Sequence, residues 1–190
     1  MTPTNVLPLR RRQLVSNGVM GMLIFVVTEL MVFAGMISGF VIVKAGAVSW
    51  PPPGQPRLPF EETLLNTTAL LASGVCLFFA NRAFVRDFVS ARRPLTATIV
   101  LGLFFVGFQG YEWVMLLGDG LTMTSSRLGA FFYLIVGTHA LHAIAALCGL
   151  LYVFGKLLRG RLHRAQFQTA QVFWYFVVAV WPVLYLQVYL

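Results

Sequence analysis

The run VMGMLIFVVTELMVFAGMISGFVIV, residues 19–43, decides the fold of this chain. Coiled as a helix it is long enough to cross a hydrocarbon layer of ~30 Å, and Glu29 is its only ionisable side chain. A cleaved signal has an apolar core of only ~7–15 residues. An acid near the centre is also out of place in a disposable segment. The small-residue triplet AGA at 45–47 therefore reads as the start of a connection and not as a cleavage site.

Working outward, four more blocks have the same character, so that spans are expected near 17–43, 64–86, 95–117, 128–158 and 166–189. Of the 190 residues, 58% are hydrophobic and 11% charged, where a soluble domain carries about 25% charged residues. Mean hydropathy is +0.80, which makes lipid the solvent for most of the surface. The expected fold class is an all-α integral membrane protein, five transmembrane helices in a bundle. Residues 1–16 form an N-terminal segment and 17–190 one domain, without internal repeats. The fourth block is long enough to tilt or to project from the bilayer at its basic end.

A net charge of +8 would fit a nucleic-acid binder if it formed one face. Here the basic residues fall in short clusters between apolar blocks. Arg10, Arg11 and Arg12, then Arg82, Arg86, Arg92 and Arg93, then Lys156, Arg159, Arg161 and Arg164 make eleven on one side. Lys44, Arg57 and Arg127 make three on the other. The positive-inside bias places the N-terminus in the cytoplasm and the C-terminus outside. Cys76 and Cys148 lie in separate apolar runs, form no CxxC, and read as small packing residues.

Glu61, Glu62, Asp87 and Asp119 are placed in connections, where water hydrates them. Glu29 and Glu112 are intramembrane, and a carboxylate at bilayer centre costs at least ~2.5 kcal/mol, so each should face protein or a water-lined cavity. Glu29 is either a hydrogen-bonded acid inside the bundle or a proton-path or lipid-cleft residue. For Glu112, flanked by Tyr111 and Trp113, packing is the favoured reading. The stretch GTHALHAIAAL, residues 137–147, adds His139 and His142 one turn apart on one helix face. A bis-histidine haem takes its ligands from both faces of the porphyrin, and the only other histidine is His163, in a connection. No CxxCH is present. Each buried imidazole is therefore expected to bond a carboxylate, hydroxyl or carbonyl on a neighbouring helix, with Glu112 a candidate. No metal ligands and no cofactor-binding residues are assigned. Gly35 and Gly39, and Ala140, Ala143 and Ala146, mark faces where helices could approach closely. Pro182 should kink the fifth helix near Trp181. WPPPG at 50–54 reads as a stiff outer connection. Arg82, Arg86 and Arg93 are candidates for lipid head groups, with ordinary positive-inside charge as the alternative.

Several stretches, in order, resemble subunit III of the haem–copper terminal oxidases. They are GMLIFVVTELMVFAG around Glu29, WPPPG at 50–54, LLNTTALLASGV at 64–75, FQGYEW at 108–113, GTHALH at 137–142 and the C-terminal FWYFVVAVWPVLYLQVYL. The family's bacterial short form has five helices. The resemblance implies a non-catalytic, cofactor-free subunit of the bacterial cytoplasmic membrane, packed against subunit I, which carries haem and copper, in a complex with subunit II. It also implies a lipid-holding cleft and support of proton uptake, with Glu29, Glu112, His139 and His142 matching the family's intramembrane polar residues. Tyr175 and Val178 stand where the family usually has histidine and aspartate, and Asn81 and Arg82 where it usually has a histidine pair. These departures point toward a quinol oxidase or a divergent branch. Two alternatives stay open: a subunit III-like accessory protein of a nitric oxide reductase, and a small proton-coupled transporter.

Overall fold

The computed structural model describes residues 16–49 and 60–189. The N-terminal arginines 10–12, WPPPG and Arg57 lie outside the described residues. Five helices follow one another: α1 Asn17–Ala45, α2 Phe60–Arg86, α3 Arg92–Gly118, α4 Arg127–Leu158 and α5 Arg164–Leu184. A π-helical turn, Tyr185–Tyr189, continues α5. All five are long and apolar enough to cross a membrane.

Helix ends follow local chemistry. Ser16 caps α1 by accepting from the Val19 amide, and Ser126 caps α4 by accepting from Gly129. At the far end of α3, the Leu121 amide bonds the Leu116 carbonyl and the Gly120 amide bonds Leu117. Arg161 to Lys156 and Gly160 to Leu157 repeat the pattern after α4. Gly120 (φ +87°) and Gly160 (φ +66°) supply the left-handed residue that such an ending requires. The span of α2 corrects the sequence reading at its start. Glu61 and Glu62 occupy its first turn, where negative charge complements the exposed amide ends. Arg92 and Arg93 likewise begin α3, and Pro94 is tolerated there because first-turn amides have no intrahelical partner. Past Pro182 the chain stays helical and changes to the wider π pitch at Tyr185.

α2 pairs with α3, and α4 with α5; α5 also touches α1 and α2, and α3 meets α4. α5 is thus the central rod, and nine of its residues are buried. α1 is peripheral, with only Phe33 and Phe40 buried, seven residues apart on one stripe. The rest of its circumference exposes large aliphatic side chains such as Ile24, Val27, Met31 and Ile42, which lipid solvates as well as a protein core would.

Close approach occurs elsewhere than the sequence motif placed it. A β-carbon at Gly39 would meet the Phe131 ring at 3.4 Å, but nothing lies within 4 Å of one at Gly35. The tight crossing is at Gly102 on α3. A β-carbon there would come within 2.6 Å of the Trp174 indole on α5 and 3.2 Å of Leu147 on α4. That indole donates to Ser73 Oγ on α2 at 3.0 Å. Four helices are therefore locked at one level by a missing side chain and a single hydrogen bond.

Candidate functional site

Among the described residues, two separate polar sites lie within the bundle. The first joins α1 to α4. Glu29 Oε2 stands 3.1 Å from His142 Nε2, and His142 Nδ1 is 2.7 Å from the Thr138 carbonyl one turn earlier. That carbonyl can only accept, so Nδ1 carries a proton and donates it. The contact between Nε2 and the carboxyl then holds one further proton. Either the acid donates to a neutral ring or the imidazolium donates to a carboxylate. Both arrangements give the couple zero net charge, which lets an acid and a base reside together near mid-membrane. The rings of Phe25, Phe33, Phe173 and Phe176 surround His142, with centroids 5.6–6.2 Å away.

The second site joins α2, α3 and the π turn. Glu112 is 2% exposed. Its Oε1 accepts from the Thr63 hydroxyl and its Oε2 from the Gln109 amide, each at 2.9 Å. Gln109 also donates to the Tyr189 hydroxyl at 3.2 Å. Below it runs a polar seam on α2. Thr67 donates to the Thr63 carbonyl and accepts from the Trp181 indole at 2.9 Å, and Ser73 accepts from Trp174. Loss of the Trp181 bond in Trp181→Phe is expected to lower stability by about 0.6–1.7 kcal/mol, the range for hydrogen bonds between membrane helices. A thermal melt of the purified protein checks it; no shift would show that the indole is held by packing alone.

Of the sequence-predicted polar residues, Glu29 and His142 are thus brought together, Glu112 is placed apart from both histidines, and His139 departs from expectation. It is fully buried, its ring lying 5.0 Å from Trp181 and 6.2 Å from Phe33 and Phe105. Neither of its nitrogens has a hydrogen-bond partner among the described residues. Glu112 is therefore not the partner of either imidazole. Among the described residues no group of three or more His, Cys, Asp or Glu could hold a metal ion. At the far end of α2, Arg82 and Arg86 line a recess of about 530 Å³ with Phe79, Ala83, Ser90 and Pro94, whereas Arg93 is not part of it. Nearby Asp87 accepts from the Ser90 hydroxyl, which with the Val89 and Ser90 amides holds its carboxyl below the usual carboxylate range.

A family model described as cytochrome c oxidase subunit III matches residues 9–190, nearly the whole chain. The chain belongs to the cytochrome c oxidase subunit III family. Relatives named cytochrome c oxidase subunit 3 include that of Petromyzon marinus, 34% identical over 182 residues, covering 89% of this chain and 67% of the relative. Those of Neurospora crassa, 32% identical with 90% and 66% covered, and Anopheles gambiae, 33% with 89% and 67%, are similar. The chain thus spans about two thirds of the length of these relatives. Three of the four unusual positions in this subunit III chain make neutral or ring contacts, whereas the Asn81 Oδ1 is buried without a hydrogen-bond partner among the described residues. Tyr175 accepts from Gln171, one turn earlier on α5, and Val178 packs against Gly74. Arg82 stacks over the Phe78 ring at 5.8 Å.

The sequence reading missed Thr63, Thr67, Ser73, Gln109 and the two tryptophans. Their signal was present: α2 carries hydroxyls at 63, 67, 68 and 73, and two tryptophans stand seven apart on the last helix. A buried indole needs an acceptor, and those hydroxyls supply one.

Proposed function

We propose that this chain is the non-catalytic subunit III of a respiratory haem–copper oxidase of the bacterial cytoplasmic membrane, with its N-terminus in the cytoplasm. It braces subunit I, which carries the haem and copper, alongside subunit II, holds lipid against its helices and supports proton uptake. The family match over residues 9–190 carries this reading. The bundle is consistent with it. Several of its polar groups join helices: Glu29 to His142, Glu112 to Thr63, and the Trp174 and Trp181 indoles to hydroxyls.

Two surfaces favour lipid. Between α1 and α5 lies a groove of about 330 Å³ lined by Val26, Leu30, Phe33, Ile37, Phe176 and Val183, apolar enough for an acyl chain. The Arg82–Arg86 recess suits an anionic head group, for which each basic residue contributes about 1 kcal/mol. The departures at Asn81, Arg82, Tyr175 and Val178 favour a divergent branch of the family, with a quinol oxidase among its members. The accessory protein of a nitric oxide reductase is the competing reading, and the gas reduced by the purified complex separates the two.

The test is purification of the tagged chain from native membranes. A large haem- and copper-bearing subunit and oxygen consumption are expected to co-purify; nitric oxide reduction without oxygen reduction would overturn the reading. Glu29→Gln is expected to leave assembly intact and initial turnover nearly unchanged, while activity decays sooner under sustained turnover. Time courses of oxygen uptake check this, and an assembled complex with electron transfer abolished at once would contradict it. His139→Ala and His142→Ala are expected to leave every haem band in place, read from reduced-minus-oxidised spectra.

A further inference from the structure

Four buried hydrogen-bonding atoms without a protein partner belong to residues around one cavity. They are both ring nitrogens of His139, Oε1 of Gln109 and Nε1 of Trp113. The cavity lies between α3 and α4, measures about 160 Å³, and is otherwise walled by apolar groups including Val136, Ala143 and Trp181. An unpaired buried polar group costs about 1–3 kcal/mol. Two donors and two acceptors left without partners on residues of one lining is a pattern that a small neutral donor–acceptor satisfies.

We infer that this cavity is a water site, anchored on His139 and extending the Glu112 network. The volume has room for up to about five waters at ~30 Å³ each, and each water needs two to four polar partners, so about one or two are expected. Gln109 is the connecting residue. Its amide nitrogen is committed to Glu112 and Tyr189, which leaves its oxygen to accept from the guest. A neutral His139 offers one acceptor and one donor, and the Trp113 indole another donor. The result is a hydrogen-bonded string Thr63–Glu112–Gln109–water–His139, crossing from α2 through α3 to α4. An acyl chain would fill the same space but leave all four atoms unpaired. A metal ion finds no second ligand of suitable type in the lining.

The experiment is a cryo-electron microscopy map of the intact complex at a resolution that shows ordered water. At least one compact density within hydrogen-bond distance of a His139 nitrogen and of Gln109 Oε1 or Trp113 Nε1 is expected. An elongated acyl density, a partner side chain filling the cavity, or no density would each overturn the proposal. A second map, of His139→Phe, is expected to lose that density while the Glu112–Thr63 contact persists. Density unchanged in that variant would show that His139 does not hold the guest and would equally overturn it. These outcomes do not depend on whether the complex reduces oxygen or nitric oxide.

Discussion

Gly102→Val is expected to cause a large loss of stability. Even the β-carbon of alanine would approach the Trp174 indole to 2.6 Å and Leu147 to 3.2 Å. The indole cannot swing aside cheaply. It is fully buried, and its N–H is tied to Ser73, whose hydroxyl in turn donates to the Leu70 carbonyl. Overpacking a filled core costs about 1–3 kcal/mol, occasionally more. Gly102→Ala should fall within that range and Gly102→Val at or above its top. Gly110→Ala, on the same helix but with nothing within 4 Å, is the control and should change little. Thermal melts of the three variants decide it; equal melts for Gly102→Val and Gly110→Ala would show that the four-helix crossing is not a tight point.

Glu112→Leu is the second. It removes the acceptor of two hydrogen bonds at once, leaving the Thr63 hydroxyl and one Gln109 N–H to find others in a region with no bulk water. With about 0.6–1.7 kcal/mol for the Thr63 bond between α2 and α3 and about 0.5–1.5 kcal/mol for the Gln109 bond within α3, the loss should be about 1–3 kcal/mol. Glu112→Gln keeps an acceptor oxygen and the shape, and should retain most of the stability. The measurable quantity is the fraction of this subunit that stays with the complex after graded detergent exposure. The order wild type, Glu112→Gln, Glu112→Leu is expected, and Glu112→Leu surviving as well as wild type would remove the network from the list of forces holding α2 to α3.

The five spans were legible because a bilayer imposes length and apolarity on each one separately, without reference to the others. Boundaries shifted by up to four residues where charged first-turn residues, Glu61 and Arg92 among them, belong to the helix and not the loop. The pairing of helices was far less legible. The GMISG motif suggested an interface, yet Gly35 faces open space, while Gly102, inside the featureless VLGLFF, carries the closest crossing. Apolar patterning does not distinguish lipid from protein neighbours, so which glycine is used depends on the tertiary arrangement. The polar residues behaved similarly. Glu29 and His142 were each recognisable as needing a partner, but that they need one another follows only from α1 lying against α4. His139 carries the same residue type one turn away and finds no protein partner among the described residues.

The central claim is that this chain is a colourless brace within a haem–copper complex. It is tested most directly by releasing it from the purified complex and recording visible spectra of both fractions. The account predicts every haem band in the residual complex and a featureless spectrum for the released chain. A haem band travelling with the released chain, and bleached by His142→Ala, would contradict it.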